Sequence, residues 1–200
     1  MTTGKVLWRL VHYSPLVFDG LVLSRHRCIL ATRIGIDTLA AFNIEAHPRP
    51  VIACVANAPY ATWKGCADRG HRGAPPPEAW AVWSGLPVEV ADPVQPKSWP
   101  GHLVVHVPRA ATVLDLDFQA FARPAKLLDT PPAVAVSWPA GLPVCHYVGR
   151  DRCRRLFVVR YEDNPDNRGY TAAKDWRSDR AVVRDTVQTL ARAIRKGSAV

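Results

Sequence analysis

The chain has 200 residues and a mass of 22.1 kDa, a length that one hydrophobic core accommodates and that excludes a multidomain machine. Hydrophobic residues make up 48% and charged residues 22%, the proportions of a folded protein, so wholesale disorder is excluded. Lys and Arg (26) outnumber Asp and Glu (17), and the net charge of +9 favours anionic partners at low salt, which keeps nucleic acid among the partner classes to weigh.

Residues 6–23 form the most apolar early stretch, but Arg9, His12, Pro15 and Asp19 interrupt it, so no membrane span is expected. The start also lacks the basic region, apolar block and small-residue site of a secretory leader, and a cytoplasmic location is expected. A helix is predicted from Ser24 or Arg25 through CILATRIGIDTLAAFNI, with Ile29, Thr32, Ile36, Leu39 and Ala40 on one face and Leu30, Ile34 and Phe42 widening it. A helix this apolar around its circumference belongs at the centre of the fold. Asn43 and the pairs His47-Pro48 and Arg49-Pro50 end it, and VIACVANA then has the β-branched content of a buried strand. Residues 59–100, rich in Gly and Pro, read as a long surface excursion with one strand near 79–83. HLVVHV from His102, a turn at 108–111 and TVLDL predict two successive antiparallel strands. Further strands are predicted at 134–138, 144–149 and 155–162, followed by a turn at NPDNRGY and an amphipathic helix over 178–195. The expected class is α+β, a single domain over 1–200 with a central buried helix packed on a mainly antiparallel sheet.

Five cysteines, an odd set with no C-x-x-C pair, resemble neither a secreted disulfide framework nor a zinc ribbon. Cys54 to Cys66 and Cys145 to Cys153 are too widely spaced for a standard metal site, and no glycine-rich phosphate loop is present, so no metal or cofactor is expected. The informative residue is Cys28, at the start of the apolar helix. A thiol there faces unsatisfied amide donors and the positive end of the helix dipole, which favour the thiolate. An imidazole on a neighbouring strand can take the thiol proton and return it to a leaving group if a third residue fixes its orientation. His102, opening one strand, and Asp115, closing the next 13 residues later, suit those roles. Taken singly, Cys28 reads as a small core residue, His102 as a structural histidine and Asp115 as a strand terminator; their order and placement favour a triad. His26 and His106 are rival bases and Asp117 a rival acid, the last sharing the strand parity of Asp115.

Cysteine opening a helix, Gly101-His102 opening a strand and Asp115 ending the next resemble the transglutaminase-like branch of the papain-like cysteine enzymes. Residues 24–125 are similar to actinobacterial and phage members of that group. The chain departs from the common pattern in having no aromatic after the His, no Trp beside the Cys and no Gln upstream of it. The resemblance implies a papain-like core and a Cys28–His102–Asp115 triad that forms an acyl-enzyme on a peptide, protein or small amide or ester substrate, resolved by water or an amine. The Cys28 amide is one expected oxyanion donor, and Asn57, Tyr60 and Trp63 are candidates for a second donor or for the cleft wall. The 60–100 excursion is expected to overhang the cleft, and the loop carrying Tyr170 and Trp176 either to border it or to pack on the last helix. The competing expectation is a non-catalytic module whose arginines, including Arg150, Arg152, Arg154 and Arg155, bind nucleic acid or an acidic protein.

Overall fold

Short apolar runs, buried on consecutive residues in the middle of the sheet and on alternate residues toward one side, build a seven-stranded sheet in the computed structural model, which describes residues 1–19, 27–70, 73–85, 101–177 and 181–197. The strands are β1 (His47–Asn57), β2 (Ala81–Ser84), β3 (His102–Val107), β4 (Thr112–Asp115), β5 (Val134–Ser137), β6 (Val144–Arg150) and β7 (Leu156–Asp163). Their order is β5-β4-β3-β1-β7-β6, with β2 also on β1, and every described pairing is antiparallel. Cys145 Sγ donates to the Ser137 carbonyl at 3.1 Å, linking the outer strands β6 and β5, and the sheet curls into a nearly closed barrel. Five α-helices are described: α1 (Thr3–Phe18), α2 (Arg27–Ala40), α3 (Ala58–Ala67), α4 (Lys174–Arg177) and α5 (Ala181–Lys196). None is long and apolar enough to cross a membrane.

Strand parity divides the core in two. Val105 and Val107 of β3 point outward with Leu114 and Leu116, and bury against Leu10 of α1, Ile34 of α2 and Leu190 of α5. Val104 points inward, with Val51, Ala53, Val113, Trp138, Phe157 and Tyr161 filling the barrel. The apolar helix α2 therefore lies on the outer face of β3, between the sheet and the other long helices. Its Gly35 permits that approach: a Cβ there would stand 2.6 Å from Leu116 Cδ1 and 3.0 Å from Val105 Cγ2. Gly35→Ala is expected to overpack this layer and cost about 1–3 kcal/mol. A lowered midpoint in urea unfolding is the predicted result, and an unchanged midpoint contradicts the close contact.

Several expectations need correction. Strand β1 begins at His47, four residues before VIACVANA, in spite of Pro48 and Pro50. β3 pairs with His47–Val51, whereas β7 reaches only as far as Asp163, opposite Val51. The Pro50 carbonyl points to the β7 side, where it accepts from the Asn164 amide, so the missing proline N–H groups fall where no strand is left to bond. The excursion after β1 begins with a ten-residue helix, α3, and the chain opens with the sixteen-residue α1, neither of which was expected. The predicted end of α2 is close: the helix stops at Ala40 and Asn43 adopts a left-handed conformation at φ 57° in the following turn. The predicted helix start at Ser24 or Arg25, the rival His26 and the first three residues of the predicted last helix lie outside the described residues.

Candidate active site

The site forms where β1 changes partner. Val51 of β1 faces His102 of β3, and from Ala53 onward the same side of β1 pairs with β2. His102 thus opens β3 at a seam in the sheet, its side chain inward. Asp115 closes β4; continuing the β3–β4 register from Val105↔Leu114 sets Asp115 opposite Val104, a diagonal neighbour of His102 on the same face. Cys28 is the second residue of α2. Two contacts fix that end of the helix over β3: Thr32 Oγ1 donates to the Leu103 carbonyl at 2.9 Å, and Ile29 packs on Leu103 and Tyr170.

These elements bring Cys28, His102 and Asp115 together. His102 Nε2 lies 2.7 Å from Asp115 Oδ2, and the Cys28 thiol lies close enough to interact electrostatically with the ring. His102 and Asp115 are 3% and 1% exposed, whereas Cys28 is half-buried, so the imidazole and carboxylate are shielded from water while the thiol keeps access. Phe121, from the turn after β4, places its ring edge-on to His102 with centroids 4.9 Å apart. Burial opposes the imidazolium, but the Asp115 charge and hydrogen bond together with Cys28 outweigh it and hold His102 well above its usual value. Asp115 Oδ1 accepts the Asp117 amide at 3.2 Å, and Oδ2 also accepts the Tyr161 hydroxyl at 2.8 Å. Three donors therefore hold the buried carboxylate in one orientation.

Tyr161 is the residue that sequence reasoning missed. It belongs to β7, two strands away from β3, and reaches Asp115 through the barrel over the small Ala53, its cross-strand partner. Burial, followed by the Asp115 charge and hydrogen bond, keeps its phenol protonated well above the usual range, so it remains a donor. Tyr161→Phe should cost about 1.5 kcal/mol of stability, the worth of a hydrogen bond to a charged group, with the loss read from the urea midpoint. A variant as stable as wild type would show that this bond contributes nothing.

The rival residues have other partners. Asp117 faces Arg27, with Nε to Oδ1 at 3.4 Å. His106 is four residues along β3 from His102, about 13 Å, and burial followed by the Arg49 and His47 charges pushes its imidazole below the usual value.

Asn57, Tyr60 and Trp63 are not brought to this site. Asn57 is six residues along β1 from Val51, about 20 Å, at the other end of the strand. It caps α3: its side chain accepts from the Tyr60 and Trp80 amides and donates to the Glu78 and Lys126 carbonyls. Trp63 donates to the Gly73 carbonyl, and Tyr60 lines a groove with Cys54 and Trp83 on the outer face. Tyr170 and Trp176, in contrast, pack at the Cys28 end of α2, their rings edge to face at 4.9 Å. Among the described residues no group of three or more His, Cys, Asp or Glu is placed to hold a metal. In the turn between β6 and β7, Arg155 pairs with Asp151 at 2.9 Å and Arg150 donates to the Arg154 carbonyl.

No protein-family model, curated protein or solved structure matches the chain.

Proposed function

We propose that the protein is a thiol-dependent hydrolase or acyltransferase of the transglutaminase-like, papain-like kind, with Cys28 as nucleophile, His102 as base and acid, and Asp115 as the group that orients His102. The observation that carries this reading is the imidazole held between a half-buried thiol at a helix N-terminus and a buried carboxylate at 2.7 Å. With Nε2 bonded to Asp115, Nδ1 is the ring nitrogen left for the thiol proton.

The chemistry follows in balanced steps. His102 takes the thiol proton, and Cys28 Sγ forms a bond to the substrate carbonyl carbon as the carbonyl electron pair moves to oxygen. The Cys28 amide is the proposed donor to the developing charge. Collapse of the intermediate breaks the C–N or C–O bond, and His102 gives its proton to the leaving amine or alcohol. Water or an amine then attacks the thioester, loses a proton to His102 and releases the Cys28 thiolate.

Incubation with a panel of activated amide and ester donors tests the reading. The expected result is an acyl adduct on the Cys28 peptide that hydroxylamine discharges, absent from Cys28→Ala. Turnover by Cys28→Ala at the wild-type rate would refute it.

A further inference from the structure

The residues flanking the triad carry a further inference, which rests on the reading of Cys28 as nucleophile. Arg27 immediately precedes Cys28, and Asp117 lies two residues beyond Asp115. Arg27 Nε stands 3.4 Å from Asp117 Oδ1, and the Asp117 side chain is only 7% exposed. The Asp117 amide meanwhile donates to the triad carboxylate. One ion pair thus joins the first residue of α2 to the turn that holds Asp115. Among the described contacts at this end of α2, the Thr32 bond and the packing of Ile29 on Leu103 reach β3 rather than β4.

We propose that the Arg27–Asp117 ion pair is a clamp that holds Cys28 against the His102–Asp115 pair, both of its members acting as positioning residues. The arrangement needs the carboxylate. A cation in the first turn of a helix opposes the positive end of the dipole, and Asp117 supplies the compensating negative charge. Arg27 Nε is buried without a hydrogen bond, so charge rather than directed bonding holds the pair, and neutralising Asp117 releases it. Burial, then repulsion from Asp115, raises the Asp117 carboxyl to about 6 against the opposing pull of His102 and Arg27. Those three are the charged groups facing it among the described residues. The clamp is therefore closed at neutral pH and opens as pH falls through about 6.

The test uses the full chain and iodoacetamide, following alkylation of the Cys28 peptide relative to the exposed Cys153 between pH 5 and 8, with thermal midpoints recorded alongside. Arg27→Gln and Asp117→Asn should each slow Cys28 about fivefold at neutral pH, and the double variant no more than either, because both remove one shared interaction. The wild-type profile should contain a step near pH 6 that Asp117→Asn lacks; a merely structural role would lower the midpoint and leave the step in place. Arg27→Lys, which keeps the charge, should retain most of the rate. Should Asp117→Asn fail to fold, equal rates for Arg27→Lys and Arg27→Gln overturn the clamp. Single variants as fast as wild type with the step intact, or effects that multiply in the double variant, also overturn it while leaving the nucleophile reading in place. A wild-type Cys28 no faster than Cys153 at any pH overturns that reading and the clamp with it.

Discussion

His102→Ala should lower turnover of any acyl donor by about 10³-fold, within the range that a positioned acid–base group supplies. The reason is geometric. Among the described residues His102 alone lies beside the Cys28 thiol while bonded to a buried carboxylate, and His106, the other imidazole on the inner face of β3, is about 13 Å away along the strand and faces Arg49 and Asp163 instead. No described imidazole is placed to take over. His102→Gln separates chemistry from folding, because an amide can donate to Asp115 but cannot shuttle the proton. Both variants should be similarly slow, with His102→Gln the more stable of the two. Residual turnover by either within threefold of wild type would remove His102 from the mechanism.

Asp115→Ala should carry the largest combined loss. The carboxylate accepts His102 Nε2, the Tyr161 hydroxyl and the Asp117 amide, all in a buried setting, and truncation leaves those donors without an acceptor. Breaking a buried pair of this kind costs about 3–5 kcal/mol. Turnover should fall as well, because the imidazole loses both its orientation and the charge that favours its protonated form. The stability loss has a defined pH dependence. His102 is held well above its value in the unfolded chain, so the stabilisation it contributes is complete below about pH 6.5 and is lost as pH rises through the folded value. The gap between wild type and Asp115→Ala should therefore be wider at pH 6 than at alkaline pH. Urea unfolding at several pH values measures it, and a gap that widens with rising pH would contradict the assignment of charge at His102.

Much of the barrel was legible because its strands advertise themselves locally. The expected strands at 102–107, 112–116, 134–138, 144–149 and 155–162 match β3 to β7 within about two residues, since short runs rich in Val with Gly or Pro nearby mark them out. The 13-residue spacing, read as a strand, a turn and a returning strand, placed His102 and Asp115 on adjacent strands. Helix α3 escaped because none of its residues is buried, leaving no apolar period to read, although Asn57 followed by Pro59 is a capping signature. Helix α1 was obscured by Arg9, His12 and Pro15, yet Val6, Leu7, Leu10, Tyr13, Ser14 and Phe18 share its buried face and Thr2 caps it. Treating Asn57, Tyr60 and Trp63 as neighbours of the nucleophile assumed that the chain returns to the site after β1. An eleven-residue strand carries it to the other end of the barrel instead. Tyr161 could be read as a strand residue, but its bond to Asp115 joins positions 46 apart through a closed core, and no local pattern encodes that contact.

Alkylation of all five cysteines, resolved by pH and by peptide mass in wild type and His102→Ala, decides whether His102 activates Cys28. The internal standards are built in. Burial raises the Cys54 thiol to about 11 and also raises Cys145, so both should stay slow, while the exposed Cys153 serves as the accessible reference. The account predicts that Cys28, although half-buried, outpaces Cys153 near neutral pH and loses that advantage in His102→Ala. A Cys28 that stays inert until the protein is denatured, or that reacts equally fast without His102, would contradict it.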